Sequence, residues 1–256
     1  MSDDEIVRYF HRHVVPMIFA FRVEGKIQRY LVTTFVMSVS GQWYLITAGH
    51  CIRQIDEDIA KYGLHSCYLI DSLGSGATHY NPIPFPYGSS SPVCLSDDRP
   101  FDYGFIQISD HYRSLLEANN IVALDENVWK YSPTNVERYL MLGIPKELAQ
   151  FRQNDAEITP VLIPVYPLRE RPEGFPLRQI SEIGDNTFYG RIVLDDTLTS
   201  IVGMSGGPIF AFHEDENDKL RYTIAAIQSS WIPPSYIAAS RVELLGNFLE
   251  YINSRR

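Results

Sequence analysis

The sequence predicts an all-β protein built from two antiparallel barrels and followed by a C-terminal helix. Short apolar segments rich in β-branched and aromatic residues recur along the chain, and turn residues separate them. Helical periodicity is prominent only in the last residues. A parallel α/β sheet would need helices between its strands, and the pattern offers too few. A chain of 256 residues is long enough to fill two such barrels.

The first barrel is predicted over residues 14–125, after an N-terminal extension over residues 1–13. The turn residues Glu24-Gly25-Lys26 separate its first two apolar segments and indicate a hairpin. Residues 73–100 are dense in Gly, Pro and Ser, which predicts a long loop. The strands predicted in this half are, in chain order, 14–23, 27–39, 43–47, 67–71 and 103–108. The segment 43–47 delivers His50 to a loop at a strand end.

The second barrel is predicted over residues 126–239, after a crossing between the halves at residues 113–133. A second long loop is expected at residues 166–190. The strands predicted in this half are 139–145, 158–165, 191–194, 208–212 and 222–228. Each is short, apolar and bounded by turn residues, as strands of antiparallel barrels are.

The last element is a helix predicted over residues 240–256, packed on the second barrel. Ser240 and Glu243 have the spacing of a capping box, which marks a helix start. The apolar residues recur at helical spacing. They are Val242, Leu245, Phe248, Leu249 and Ile252.

Charge and composition exclude several kinds of partner. The net charge of -9 and the pI near 5.2 leave no basic field for nucleic acid or an anionic membrane. The chain starts with acidic residues, and its longest early apolar stretch, Val14 to Phe21, is interrupted by Pro16 and is too short to cross a membrane. Cysteine is present in odd number. We therefore expect a cytoplasmic protein with reduced thiols, and a Cys51–Cys67 bridge remains an open alternative.

Three motifs place a histidine, an aspartate and a serine in that order along the chain. They are Thr47-Ala48-Gly49-His50-Cys51, Phe101-Asp102-Tyr103-Gly104 and Gly203-Met204-Ser205-Gly206-Gly207-Pro208. Gly-x-Ser-x-Gly is also typical of the nucleophile elbow of α/β-hydrolases, but that fold needs its acid and its histidine after the serine. Only His213 follows, and eight residues leave no room for the intervening elements. The order therefore favours a triad whose histidine and aspartate both come before the serine in the chain.

These motifs resemble those of the trypsin/chymotrypsin-like serine peptidases, and more closely the bacterial intracellular type than the disulfide-bonded digestive enzymes. Leu142-Gly143-Ile144-Pro145 is also similar to a Gly-x-Pro turn early in the second barrel of that family. The resemblance covers residues 14–252. It implies two six-stranded chymotrypsin-like barrels and a serine endopeptidase that hydrolyses peptide bonds in a protein or peptide substrate through an acyl-enzyme. It implies no cofactor and no metal ion.

The chemistry assigns a role to each residue of the predicted triad. Ser205 needs a base to become a nucleophile, His50 supplies it, and Asp102 orients the imidazole and stabilises its charged form. Activity should then rise with pH near about 6.5 to 7. The backbone N–H groups of Gly203 and Ser205 are expected to form the oxyanion hole. The rival acids, Asp97 and Asp98, lie in a polar loop and neither begins an apolar strand.

Substrate-binding residues are predicted on two segments. Thr199, followed by Ser200, stands six residues before the nucleophile, where trypsin-type pockets hold an acid, so we expect an uncharged residue at the cleaved bond. The segment Ser229-Ser230-Trp231 resembles the strand that pairs with the substrate backbone, in a register that either serine could set. Ile232 stands where the family has a glycine when Ser230 and Trp231 are aligned on that pattern.

Two further expectations concern activity and its control. The alternative to a peptidase is a catalytically weak or inactive trypsin-fold binding module, which Ile232 and the long loops suggest. Met204 stands where digestive members hold the acid that pairs with a new N-terminus, so activation by cutting is not expected. Control by a regulatory protein partner stays open. His11 and His13 alternate as strand residues do and are interpreted as ordinary side chains rather than metal ligands.

Overall fold

The structure is a computed structural model that describes residues 3–70, 82–95, 101–151, 156–175, 187–194 and 196–255. In these ranges the strands are β1 (Met17–Val23), β2 (Lys26–Val32), β3 (Phe35–Val39), β4 (Gln42–Thr47), β5 (Leu64–Leu69), β6 (Ile83–Pro84), β7 (Val93–Leu95), β8 (Tyr103–Gln107), β9 (Arg138–Gly143), β10 (Ala149–Phe151), β11 (Ala156–Ile158), β12 (Val161–Leu168), β13 (Thr187–Ile192), β14 (Pro208–Glu214), β15 (Leu220–Ile232) and β16 (Tyr236–Arg241). The α-helices are α1 (Asp3–His11), α2 (Gly49–Tyr62), α3 (Asp110–Ala118), α4 (Glu126–Trp129) and α5 (Val242–Ser254).

The second half forms a closed six-stranded antiparallel barrel, as predicted. Its strands follow the order β12-β13-β16-β15-β14-β9, and β9 closes the barrel by pairing with β12. In the register of β14, Ile209 faces Met141 on β9 and Ala226 on β15. Apolar side chains fill the interior, because alternate residues of each strand point inward. They include Met141, Ile163, Phe188, Met204, Ile209 and Ile237.

Among the described strands only those of the second half form a closed barrel, so the prediction of two six-stranded barrels is confirmed in part. The described strands of the first half form two four-stranded sheets, ordered β2-β1-β5-β6 and β3-β4-β8-β7, with one apolar core shared between them. The sheets meet at one side, where Val14 pairs with Phe35. On the other side β6 has only two residues, and Pro84 lacks the N–H that a ladder needs. The sheets therefore remain separate there.

Helices appear where the sequence suggested loops. We predicted a loop at His50, but the structure places it in the first turn of α2. Ile52 and Ile55 are three residues apart and are buried on one face of that helix, which is a helical spacing. The short strand-like segments on both sides of α2 obscured this signal. The predicted crossing contains α4 and most of α3.

The N-terminal extension is a helix that packs on the second half. Phe10 is 3% exposed and its ring lies 4.6 Å from that of Phe210 and 4.8 Å from that of Tyr222. His11 ends α1 and His13 follows it, so neither is a strand residue. His13 is buried because its Nδ1 lies 2.7 Å from the carbonyl of Val122, a bond that replaces water.

The C-terminal helix begins at Val242 and has no capping box. Ser240 belongs to β16, and Arg241 is the N-cap residue without a side-chain cap. The helix also packs on the first half, since the Asn253 amide accepts from the Tyr44 hydroxyl at 2.6 Å and donates to the carbonyl of Val39 at 3.0 Å. Phe248 lies at the edge of the apolar face and is 36% exposed.

One buried cluster runs from the first half into the second and joins them. It contains Phe35, Phe105, Leu142, Phe210 and Leu249, among others. Hydrophobic burial of this size makes a fixed junction between the two halves. The predicted triad lies across that junction, with two members on the first half and one on the second. None of the helices in the described part of the chain is both long and apolar enough to cross a membrane.

Candidate active site

His50 and Asp102 form a paired contact. The backbone N–H of His50 donates to Asp102 Oδ1 at 2.8 Å, and His50 Nδ1 lies 2.7 Å from Asp102 Oδ2. Because Nδ1 faces a carboxylate it carries the proton, which leaves Nε2 able to accept one. Gly49 permits this approach. A Cβ there would lie 3.0 Å from Asp102 Oδ1 and 2.9 Å from the carbonyl of Tyr103.

Asp102 is 2% exposed and directly precedes β8, at the head of the apolar strand where we predicted it. Its own N–H donates to the Ser240 hydroxyl at 3.2 Å. The sequence analysis assigned Ser240 to a helix cap and missed this role, which only the adjacency of β8 and β16 across the junction reveals. A buried carboxylate is tolerated when donors surround it. The rival acids Asp97 and Asp98 lie outside the described residues.

The other side of the imidazole faces a thiol. Cys51 Sγ lies 3.6 Å from His50 Nε2 and 3.8 Å from the carbonyl oxygen of Ser205, so it contacts both the histidine and the serine of the predicted triad. Burial by itself lowers the pKa of His50, but the hydrogen bonds to Asp102 and Cys51 outweigh burial and raise that pKa to about 10. This differs from the near-neutral ionisation expected from sequence.

Ser205 lies in a turn in which some backbone N–H groups donate hydrogen bonds and others do not. Met204 N–H donates to Ile201, Gly206 N–H to Gln228, and Gly207 N–H to Met204. Among the described residues, the N–H groups of Gly203 and Ser205 have no acceptor. One of these donors belongs to Ser205 and the other lies two residues before it, and two backbone donors next to a nucleophile are what an oxyanion needs. The Ser205 hydroxyl also has no hydrogen-bond partner in the described part of the chain, so it is available.

The direction of the Gly203 N–H is set by its own peptide unit. Lys146 N–H donates to the carbonyl of Val202 at 2.7 Å. In a trans peptide the carbonyl and the following N–H point in opposite directions, so this bond directs the Gly203 N–H away from Lys146. Gly203 has a φ of +98°, and a Cβ there would lie 2.9 Å from Lys146 N. Glycine is therefore required at this position.

Thr33 links the two halves at this turn, and sequence analysis missed it. Its hydroxyl donates to the carbonyl of Gly203 at 2.8 Å and accepts from Ile144 N–H at 3.2 Å. Its own carbonyl accepts from the Thr47 hydroxyl at 2.9 Å. Thr33 is fully buried. The polar pair Thr33-Thr34 interrupts an apolar segment, and that interruption was the available sequence signal.

The first predicted substrate-binding segment is close to a carboxylate. Thr199 and Ser200 donate their N–H groups to Glu147 Oε1 at 2.9 Å and 3.2 Å, and the Thr199 hydroxyl donates to Glu147 Oε2 at 2.8 Å. The expectation of an uncharged residue at the cleaved bond rested on the lack of an acid here. The fold supplies one from a distant turn, but its oxygens accept from Thr199 and Ser200, so the expectation stays a prediction.

The second predicted segment lies on β15, next to the serine turn. Gln228 accepts from Gly206 N–H at 2.8 Å and donates to Gly207 at 2.9 Å. Ser229 is buried and its hydroxyl donates to the carbonyl of Ala238 at 3.2 Å. Ser230 and Trp231 are half-buried. The structure therefore gives Ser229 an internal partner.

Ile232, the residue that stands in place of a glycine, packs away from the serine turn. It lies against a small buried cluster of Phe175, Tyr189 and Ala238. A Cβ on Gly174 would lie 3.1 Å from Ile232 Cδ1, which shows how closely the two segments approach. The side chain thus fills space between β15 and the segment that follows β12.

None of the three cysteines, Cys51, Cys67 and Cys94, is part of a disulfide, so the Cys51–Cys67 bridge is not formed. Burial raises the pKa of Cys67 to about 12, which makes it an unreactive thiol. In the described ranges, no group of three His, Cys, Asp or Glu side chains is arranged to hold a metal ion.

No protein-family model matches the sequence, and no curated protein matches it. Among solved structures, the chain is similar to AL20, a thermostable serine protease from an extremophilic microorganism. The two share 14% identity at a TM-score of 0.52, over 96% of this chain and 99% of that one. It also aligns with the protease Anisep from Arthrobacter nicotinovorans, at 13% identity, a TM-score of 0.46 and 90% coverage of each chain.

The comparison with AL20 shows the fold of the chain. The chain has the trypsin-like serine protease fold, and the match to AL20 extends over nearly its whole length.

Proposed function

We propose that this protein is a serine endopeptidase that hydrolyses peptide bonds in a protein substrate. The observation that carries the proposal is that the N–H groups of Gly203 and Ser205, and the Ser205 hydroxyl, have no hydrogen-bond partner among the described residues. The contact between His50 and Asp102 supports it, since it leaves Nε2 to act on the serine. The fold it shares with a serine protease supports it too.

In the proposed reaction, Ser205 Oγ attacks the peptide carbonyl carbon while His50 Nε2 takes the hydroxyl proton. The carbonyl oxygen becomes an oxyanion that accepts from the Gly203 and Ser205 N–H groups. His50 then gives its proton to the leaving nitrogen as the C–N bond breaks. Water repeats the sequence on the acyl-enzyme and restores Ser205. The described contacts include no hydrogen bond between the Ser205 hydroxyl and Nε2, and catalytic hydrogen bonds of this kind often tighten only in the complex with substrate.

The second candidate is a binding module of the same fold with little or no catalysis. The pKa of His50 near 10 favours it, because an imidazolium cannot accept the serine proton at neutral pH. The free donors at Gly203 and Ser205 favour the peptidase, since a binding module has no oxyanion to hold. We also propose a cytoplasmic location, which the three cysteines outside any disulfide support. A protein regulator remains a further proposal.

Fluorophosphonate labelling at pH 9 tests the function. Wild-type protein should label, and Ser205→Ala should lose labelling entirely while retaining its thermal unfolding midpoint, because the hydroxyl supplies chemistry rather than packing. Ser114→Ala, on the exposed face of α3, is the matched control and should label like the wild type. Labelling that persists in Ser205→Ala would exclude this nucleophile, and an unlabelled wild type would favour the binding module.

A further inference from the structure

The turn Lys146–Leu148 forms hydrogen bonds with residues 199–203, the segment before Ser205, near the start and near the end of that segment. At the start of the segment, the Glu147 carboxylate accepts three hydrogen bonds, from the N–H groups of Thr199 and Ser200 and from the Thr199 hydroxyl. These bonds, led by the one from the Thr199 hydroxyl, hold the pKa of Glu147 below its usual value. The carboxylate is therefore ionised throughout the neutral range, and hydrogen bonds to an ionised acceptor are stronger than neutral ones.

Near the end of the segment, Lys146 forms a further hydrogen bond. Lys146 N–H donates to the carbonyl of Val202, which directs the Gly203 N–H as described above. Between the two ends, the Ser200 hydroxyl accepts from Val202 N–H at 3.1 Å. Two successive residues of one turn thus hold this segment at Thr199, Ser200 and Val202.

Two other contacts hold the later part of the segment, since Ile201 is buried in the core of the second barrel and the carbonyl of Gly203 accepts from the Thr33 hydroxyl. Thr199 is exposed and Val202 is 55% exposed, so burial does little to order them. Segments of this kind open locally at low free energy unless specific bonds hold them. Met204 is buried against Gly143 and bears no charge, so no ion pair next to Ser205 takes over this task.

We propose that Glu147 is a positioning residue that holds residues 199–203 so that the Gly203 N–H stays directed at the oxyanion. The proposal rests on the proposed function, which it extends to a residue far from the triad in sequence. Glu147 touches neither the triad nor the oxyanion donors. Its effect passes through the backbone from Thr199 to Val202.

The kinetic test uses p-nitrophenyl acetate, whose acylation step needs the oxyanion hole but no specificity pocket. Glu147→Ala should lower kcat about tenfold with KM changed less than twofold, because the donor acts mainly in the transition state. Glu147→Gln should restore at least half of wild-type kcat. Its amide oxygen can accept both N–H groups, and its NH2 can donate to the Thr199 hydroxyl. Glu57→Ala, at an exposed position on α2, is the matched control and should leave kcat unchanged.

Hydrogen exchange of the backbone amides separates this proposal from the proposed function. In Glu147→Ala the amides of Thr199 and Ser200 should exchange at least tenfold faster, whether or not the protein is an active hydrolase. Unchanged exchange, or equal kcat values in Glu147→Ala and the wild type, would overturn the positioning role. Wild-type protein without Ser205-dependent acylation would contradict the proposed function. If the Thr199 and Ser200 amides still exchange faster in Glu147→Ala, Glu147 holds residues 199–203 even though the protein is not a peptidase. If Glu147→Gln is as impaired as Glu147→Ala, acceptance of these bonds is not the cause.

Discussion

Cys51 Sγ lies 3.6 Å from His50 Nε2, the nitrogen that has to accept the Ser205 proton. The thiol and Asp102 bond the imidazole on opposite sides, and together they keep it protonated to a pH near 10. A free thiol in this place therefore links the ionisation of the base to a residue outside the predicted triad.

The first prediction concerns the pH dependence of the hydrolysis. Because only neutral His50 accepts a proton, the rate should increase from pH 7 towards a midpoint near 10. The same raised pKa means that protonated His50 contributes to folding stability below about pH 6.5, and that this contribution is lost as the pH rises towards 10. Cys51→Ala should lower the pH of the kinetic midpoint, and the rate at pH 7 should rise about tenfold for each pH unit by which the midpoint falls. The measurement is the labelling rate by a fluorophosphonate from pH 6 to 11.

Cys94→Ala is the control for this experiment, since its thiol donates to the carbonyl of Gly49 at 3.1 Å. Its midpoint should match that of the wild type. A midpoint that is identical in the wild type and in Cys51→Ala would show that the thiol has no part in the ionisation of His50.

The second prediction concerns Gly203. Gly203→Ala forces a Cβ to within 2.9 Å of Lys146 N at a φ of +98°, so the peptide that carries the donor has to turn or move. The labelling rate should fall on the order of 10² to 10³-fold, as for loss of one oxyanion donor. Gly25→Ala is matched in backbone, with a φ of +78° and nothing within 4 Å, and should retain the rate. Equal losses in the two variants would mean that backbone strain alone is responsible.

The third prediction concerns acid stability and His13. Burial, with a smaller contribution from Arg12, lowers the pKa of His13 to about 4 despite its bond to Val122. The unfolded chain binds a proton at about pH 6.5 and the folded chain does not, so stability is lost as the pH falls from 6.5 towards 4. From pH 7 to pH 5, this one group should cost about 2 kcal/mol.

His13→Gln should be less stable than the wild type at pH 7 and should lose less stability between pH 7 and pH 5. Urea unfolding at the two pH values measures both quantities. His65→Gln, at an exposed position, should keep the wild-type difference between the two. An unchanged difference in His13→Gln would assign the acid sensitivity to other groups.

The fourth prediction concerns the N-terminal helix. Removal of residues 1–13 should not activate the protein, because Met204 is buried and cannot pair with a new amino group. It should instead destabilise the fold by about 3 to 5 kcal/mol, since it removes the Phe10 ring from its packing on Phe210 and Tyr222. Thermal unfolding and fluorophosphonate labelling of the intact and shortened chains measure the two effects. A shortened chain that is as stable as the intact one and labels faster would contradict both statements.

The sequence determined the parts of this protein that depend on local pattern. Alternating apolar strands and turn residues predicted the second barrel, and the apolar start of β8 distinguished Asp102 from its polar neighbours. The order of His50, Asp102 and Ser205 excluded the nucleophile elbow. Hydrophobic periodicity and chain order are properties of short segments and of their succession, so they can be read without a fold.

Only the tertiary structure decided which distant residues meet. Ser240 reaches Asp102, Thr33 reaches Gly203, and Glu147 reaches Thr199, in each case across more than fifty residues of chain or between different sheets. The arrangement of the described strands of the first half in two sheets was equally hidden, because it depends on which strand edges face each other. Hydrogen bonds of this kind form between groups that the hydrophobic core brings together, and their pairing leaves no periodic trace in the sequence.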